Sequence, residues 1–305
     1  MSDIKVKKLE GIYNDEIYWQ RVNRSQAWLG NSEKEQHAAQ KAISKSTVGV
    51  AGCGGIGGAI AMRLARLGVR HIKVADPDTF DWTNLNRQFG SSRETVGQNK
   101  AEVVGHLVHE LAGDVTVEIF TGGITEESAA QFVDGCDLIL DQMDFYLLRE
   151  RYALHQEFRK LRHAKAIISA WCIGWGSSML KYTHDSMPIE EYFGVDKSAE
   201  ITPEVIKILL QKFMPEKPRF PGMDVLYDWF INRKTVPLFA GTPPVAEALA
   251  IQRAALILTD MEREPYATYL PPAPAYYMYD ASTLEGHMIN PLPFIQDNFT
   301  GALHA

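Results

Sequence analysis

Cysteine is scarce: the 305-residue chain has three, Cys53, Cys136 and Cys172, and no two of them stand at metal-ligand spacing. A four-cysteine zinc site needs two C-x-x-C pairs, so the count alone excludes one, and no structural zinc is expected. The same usage suits a reducing compartment, and a cytoplasmic location is expected. No apolar run approaches the ~20 residues of a membrane span. The opening MSDIKVKKLEG also lacks the apolar stretch of a secretory signal. Positive charge is in deficit, with 31 Lys and Arg against 38 Asp and Glu and a net charge of −7. A broad nucleic-acid surface relies on clustered cations and is therefore not expected. Repeats, low-complexity tracts and obvious linkers are absent, and the segment poorest in regular structure is LPPAPAY at 270–276.

What remains is an ordinary globular composition, 46% hydrophobic and 23% charged. The length allows one large domain, or a nucleotide-binding core with an appended half. The most informative run is VGVAGCGGIGG at 48–58. Val48, Val50 and Ala51 form an apolar strand, and Gly52, Gly54 and Gly57 supply a G-x-G-x-x-G turn into a helix carrying Ile60, Leu64 and Leu67 and ending at Gly68. Glycine there lets backbone N–H groups approach phosphate oxygens. A second apolar strand at 72–75 delivers Asp76, an acidic residue placed for ribose hydroxyls. Taken alone, this fingerprint fits NAD, FAD or a plain tight turn.

The following residues shift the balance toward ATP. Asn84, Arg87 and Gln88 crowd one loop, and Lys100 opens the next helix in VGQNK at 96–100. Cations of this kind neutralise charge that builds on phosphates during transfer. DLILD at 137–141 reads as a buried strand with Asp144 just beyond it. A carboxylate beside polyphosphate calls for a magnesium ion between them.

RVNRSQ (21–26), GCGGIGG (52–58), DPDTFDWTNLNRQ (76–88), VGQNK (96–100) and DQMD (141–144) match, in order and spacing, the pattern of the E1-like adenylating enzymes, which the chain resembles. That family includes the molybdopterin and thiamine sulfur-carrier activators and the ubiquitin-activating enzymes. The resemblance implies an α/β fold: a Rossmann-like ATP-binding sheet flanked by helices, with a C-terminal substrate-binding half of mixed strands and helices. It implies an N-terminal helical segment (1–45), an adenylation core (46–170) and a substrate-binding and dimerisation half (171–305). Gly52, Gly54, Gly55, Gly57, Asp76, Asp78, Asn84 and Gln88 would bind the nucleotide, Arg87 and Lys100 would act on the phosphates, and Asp144 would ligate magnesium. Arg24 matches an arginine that, in homodimeric members, reaches into the partner's site, with Arg21 as the alternative. The family's Asp-Asn pair is Asp144-Phe145 here.

The departures from the family bear on the substrate. With the zinc cysteines missing, the segment between Tyr182 and Pro237 is replaced by other material. It contains a short helix and turn at 187–196, a helix at 201–215 started by Pro203 and carrying Ile206, Leu209, Leu210 and Phe213, and another at 221–234 bearing Leu226, Trp229 and Phe230. These helices either rebuild the packing that zinc provides or wall a substrate groove. A long apolar helix at 241–259 follows, with Gly241, Pro243 and Pro244 at its entrance, and then a strand pair at 275–292.

Cys172 reads as a buried thiol rather than a thioester nucleophile. His106 and His109 read as helix-face residues, and RKLRHAK at 159–165 as a solvated helix end. The zinc-less layout resembles the branch of the family that includes the pantocin A biosynthesis enzyme. That implies ATP-dependent adenylation of a carboxylate, a glutamate side chain of a ribosomally made precursor peptide, followed by intramolecular capture. The alternatives are activation of a sulfur-carrier or ubiquitin-like C-terminus, dehydration of a carboxylate-bearing tRNA base, and a non-catalytic nucleotide-binding subunit. Residues 1–45 are fewer than a separate peptide-clamp domain needs, so leader recognition is expected in the replaced segment, the dimer groove or a partner.

Overall fold

The computed structural model describes residues 6–290 apart from 215, 217 and 218. Its strands are β1 (Val6–Leu9), β2 (Thr47–Ala51), β3 (His71–Ala75), β4 (Thr116–Phe120), β5 (Leu138–Asp141), β6 (Ile167–Ile173), β7 (Gly176–Tyr182), β8 (Tyr276–Asp280) and β9 (Glu285–Ile289). The helices are α1 (Asp15–Gln26), α2 (Glu33–Lys45), α3 (Gly57–Leu67), α4 (Lys100–Glu110), α5 (Ala129–Val133), α6 (Leu148–Leu161), α7 (Ile189–Phe193), α8 (Pro203–Phe213), α9 (Met223–Tyr227) and α10 (Thr242–Leu258). All nine strands form one sheet in the order β1-β4-β3-β2-β5-β6-β7-β8-β9. The five from β4 to β6 are parallel, and the flanking pairings are antiparallel. This is the α/β architecture expected from the sequence.

Strand alternation builds the two faces of the core. Val48, Val50, Ile72, Val74, Leu138 and Leu140 point to the face covered by α3, α4 and α10. Ile139, Ile167, Leu180 and Tyr182 point to the face covered by α5, α6, α7 and α8. Both faces are buried, so the parallel strands read as continuous apolar runs rather than alternating ones. α8 begins at Pro203 with Thr202 as its cap and buries Ile206, Leu209, Leu210 and Phe213, as the spacing predicts. Each such side chain stabilises the fold by ~1.5–3 kcal/mol.

The N-terminal segment carries helices, α1 and α2, and also β1, which pairs antiparallel with β4 at the end of the sheet. The boundary expected at 170/171 falls inside β6, which joins β5 on one side and β7 on the other, so core and C-terminal half share one sheet. Hydrogen bonding continues across the proposed junction and leaves no linker there. Among the described residues no helix is long and apolar enough to cross a membrane. Pro215, Pro291 and Leu292, the ends of two predicted elements, lie outside the described residues.

Candidate active site

Order reverses between β2 and β5: the chain winds from β2 through β3 to β4 on one side, then returns to place β5 on the other. Ligands of such sheets bind in the crevice beyond the carboxyl ends of the strands at this point. Here the crevice is a cavity of about 660 Å³.

The glycine turn forms its floor. Gly52 has φ +96°, and a Cβ there would overlap the carbonyl of Gln142, while a Cβ on Gly57 would overlap the carbonyl of Gly52. Only glycine lets β2, β5 and the start of α3 approach so closely. No side chain caps α3, and in its first turn the Gly58 N–H donates to the Gly54 carbonyl at 3.2 Å, so an anion there would be met by the neighbouring N–H groups. Asp76, 6% exposed, accepts from the N–H of Cys53 (2.7 Å) and of Asp78 (2.9 Å), so it locks the turn while each oxygen keeps a second lone pair. Burial raises its pKa against the pull of those two N–H groups.

Asn99 ties the far wall together. Its amide donates to the carbonyls of Asp76, Asp78 and Thr121, and its oxygen caps α4. That sets Lys100 at the first position of α4, where Nζ meets Asp78 at 3.0 Å. In the 81–91 loop, the N–H groups of Arg87 and Gln88 both donate to the carbonyl of Asn84. This one turn of chain puts Asn84, Arg87 and Gln88 on one side, as i, i+3 and i+4 positions are. Arg87 is half-buried, and that burial lowers its pKa while the nearby charge of Asp144 opposes the shift. Asn86 donates to the carbonyl of Leu238 at 3.0 Å and pins the loop before α10 against the phosphate side.

Gly52, Gly54, Gly55, Asp76, Asp78, Asn84, Arg87, Gln88, Lys100 and Asp144 therefore all line one cavity. Gly57 lies just behind it in the helix start. Arg24 does not line it; this residue is exposed in the last turn of α1. Arg21, its alternative, is committed within its own chain to Asp114 (2.8 Å) and the carbonyl of Ala65 (2.5 Å). Gln88 Oε1 and both amide atoms of Gln142 are buried without a hydrogen-bond partner, and both residues line the cavity. Orphaned amides of this kind call for a polar ligand.

Sequence reasoning missed Arg151. The guanidinium is fully buried and holds Asp141 (Nε–Oδ2 2.8 Å), the carbonyl of Met143 (2.6 Å) and the carbonyl of Asp144 (3.3 Å), while His155 contacts Asp141 at 3.3 Å. Burial alone would raise the Asp141 pKa, but the charge of Arg151 and the bonds from His155 and Arg151 hold it well below the carboxylate range. Leu148, Arg151, Tyr152 and His155 share the inner face of α6 at helical spacing, a pattern that does not by itself say what Arg151 meets.

Cys172 sits near Arg87, but burial pushes its thiol up to about 12, with the arginine charge opposing. The thiol is thus protonated at neutral pH. His106 contacts Lys7, and His109 the carbonyl of Val115. The basic stretch is exposed at Lys160, Arg162, His163 and Lys165, as expected, while the half-buried Arg159 binds the carbonyls of His184 and Ser186. No group of three or more His, Cys, Asp or Glu that could hold a metal occurs among the described residues. The segment replacing the zinc part does more than pack: Phe213 at the end of α8, Phe230 just after α9 and the loop residue Val236 line the cavity.

Comparison with known proteins agrees with this geometry. The model of the ThiF family matches residues 25–270. The tRNA threonylcarbamoyladenosine dehydratase of Bacillus subtilis is 38% identical over 103 residues, covering 33% of this chain and 41% of that protein. The chain thus spans well under two thirds of that curated relative. Among solved structures, PaaA superposes with a TM-score of 0.63 at 15% identity, covering 95% of this chain and 75% of PaaA. E. coli MccB with AMPCPP and MccA gives 0.62 at 19% identity, covering 92% and 73%.

Proposed function

From the premise that the chain belongs to the ThiF family, we propose that it adenylates a carboxylate with ATP, releasing pyrophosphate, and that the carboxylate belongs to a peptide. The observation that carries this reading is the convergence of Arg87, Lys100 and Asp144 on one cavity floored by the glycine turn. The substrate carboxylate attacks the α-phosphorus and the α–β bridging oxygen leaves with pyrophosphate. The nucleophile is already an anion, so no general base is needed, and the chain supplies position and charge.

In this reading N–H groups at the start of α3 and the Gln88 amide bind phosphate and sugar oxygens, Asp76 takes the ribose hydroxyls, and Arg87 neutralises the reacting phosphate. Lys100 exchanges Asp78 for the polyphosphate. A magnesium ion fits the donors present, because Mg²⁺ takes one or two carboxylates plus substrate phosphates, and Asp144 is an exposed carboxylate on the wall. When bound, it supplies further neutralisation of phosphate charge. Arg24, outside its own cavity, would serve the site of a second copy in a homodimer. The acyl-adenylate is then captured by a nearby nitrogen of the same peptide, without an enzyme thiol, which the protonated state of Cys172 supports.

The peptide substrate is favoured by fold likeness to PaaA and to MccB holding AMPCPP and MccA. The Bacillus subtilis relative favours a tRNA-base substrate instead. The net charge of −7 weighs against it. Labelled pyrophosphate should exchange into ATP when magnesium and a carboxylate peptide are present. Lys100→Ala and Asp144→Ala should each lower that exchange by roughly 10²–10³-fold, the effect of removing one charge-stabilising group. Full exchange by the Asp144 variant would remove its metal role, and water loss from tRNA but from no peptide would move the substrate to RNA.

A further inference from the structure

The charged side chains that line the cavity are Asp76, Asp78, Arg87, Lys100, Asp144 and Glu150, all from the part of the chain before position 170. Every lining residue from position 170 onward is uncharged, and the wall there is Trp171, Ile173, Phe213, Phe230, Val236 and Leu238. This wall is preformed. Trp171 stands edge-on to Phe213 with centroids 3.9 Å apart, and Phe145 packs on Phe213 at 4.9 Å and on Phe230 at 5.0 Å. The bond from Asn86 to the Leu238 carbonyl sets the wall one residue from Arg87. A carboxylate that attacks a phosphate beside Arg87 therefore has its neighbouring side chain against apolar surface.

We propose that the activated carboxylate belongs to a peptide residue flanked by a bulky apolar side chain, aromatic or branched aliphatic, which fills this lobe; the inference rests on the adenylation reading above. A charged neighbour would be desolvated there with only the buried, unpartnered indole N–H of Trp171 to meet it. A glycine neighbour, as in a Gly-Gly tail, would leave the wall uncovered. The lobe thus selects through the residue beside the carboxylate, while Arg87 acts on the phosphate that the carboxylate attacks.

The test is a set of end-blocked peptides of one length, each with a single Glu flanked by Phe, Leu, Gly, Asp or Lys, offered with ATP and magnesium. Pyrophosphate exchange and calorimetric ATP binding are read on the same protein. The Phe and Leu peptides should exceed the others in kcat/KM by roughly tenfold or more, the discrimination available from one apolar side chain in its pocket. Leu238→Lys, a change in a partly exposed loop residue, should shift the preference toward the Asp peptide. Equal rates across the set, or a best rate with Gly, would overturn the proposal while leaving peptide adenylation standing. No exchange with any peptide, with ATP binding intact, would overturn peptide adenylation and the proposal with it.

Discussion

The buried guanidinium of Arg151 donates to the main-chain oxygen of Asp144 at 3.3 Å while its Nε rests on Asp141 at 2.8 Å. The loop carrying the candidate metal carboxylate is thereby fixed to the end of β5 and the first turn of α6, rather than left to its own conformation. Arg151→Met should destabilise the protein by ~3–5 kcal/mol, because Asp141 would keep a buried charge without its partner. Arg151→Lys keeps the charge but loses the planar fork that reaches three acceptors. It should lower the exchange rate with ATP binding retained, measured by pyrophosphate exchange beside calorimetry. Unchanged exchange would reduce Arg151 to a packing element.

His155 makes stability depend on pH. Burial lowers its pKa below the ordinary 6.5, with Asp141 opposing and Arg151 reinforcing the shift. As pH falls below 6.5, the unfolded chain takes up a proton that the folded imidazole does not, so this contribution is complete above that pH and is lost below it. One such proton gives a slope of at most ~1.4 kcal/mol per pH unit. Asp141 adds nothing in this window because its carboxyl is held well below the usual range. Urea unfolding between pH 5 and 7 should therefore show a shallower decline for His155→Gln than for the parent protein. Identical slopes would contradict the assignment.

Cys172 faces the cavity as a protonated thiol pushed up to about 12. Cys172→Ala should retain exchange within a few-fold, and iodoacetamide at pH 8 should label the native thiol far more slowly than the unfolded one. A peptide thioester that survives acid quenching and vanishes in the variant would contradict a thiol-free capture step.

Arg24 is exposed on α1 and absent from its own chain's cavity. If it acts across a dimer, mixing Arg24→Ala with Lys100→Ala protein should restore up to about a quarter of the parent activity, because heterodimers carry one site with both residues intact. Heterodimers demonstrated by mass but inactive would refute the trans role.

Much of the site was legible because its chemistry needs particular residues at short spacing. Glycines at 52 and 57 are forced by backbone overlap, and Asn84, Arg87 and Gln88 come together because they lie within one turn. Arg151 was overlooked for the opposite reason. It lies seven residues beyond Asp144 in a stretch with other charges, and its role appears only when α6 packs against the end of β5.

The sequence by itself determined the strand–glycine-turn–helix unit and the absence of a four-cysteine zinc site, which follow from periodicity, spacing and count, and its family resemblance pointed to the α/β class and to the polar residues that line the cavity. Tertiary structure decided that β6 carries the sheet across the expected domain boundary and that β1 covers the β4 side of it. It also decided that Phe213, Phe230 and Val236 join those polar residues in one cavity. Those relationships bring together chain segments far apart in sequence, and burial and hydrogen-bond satisfaction select them only when the whole sheet is assembled.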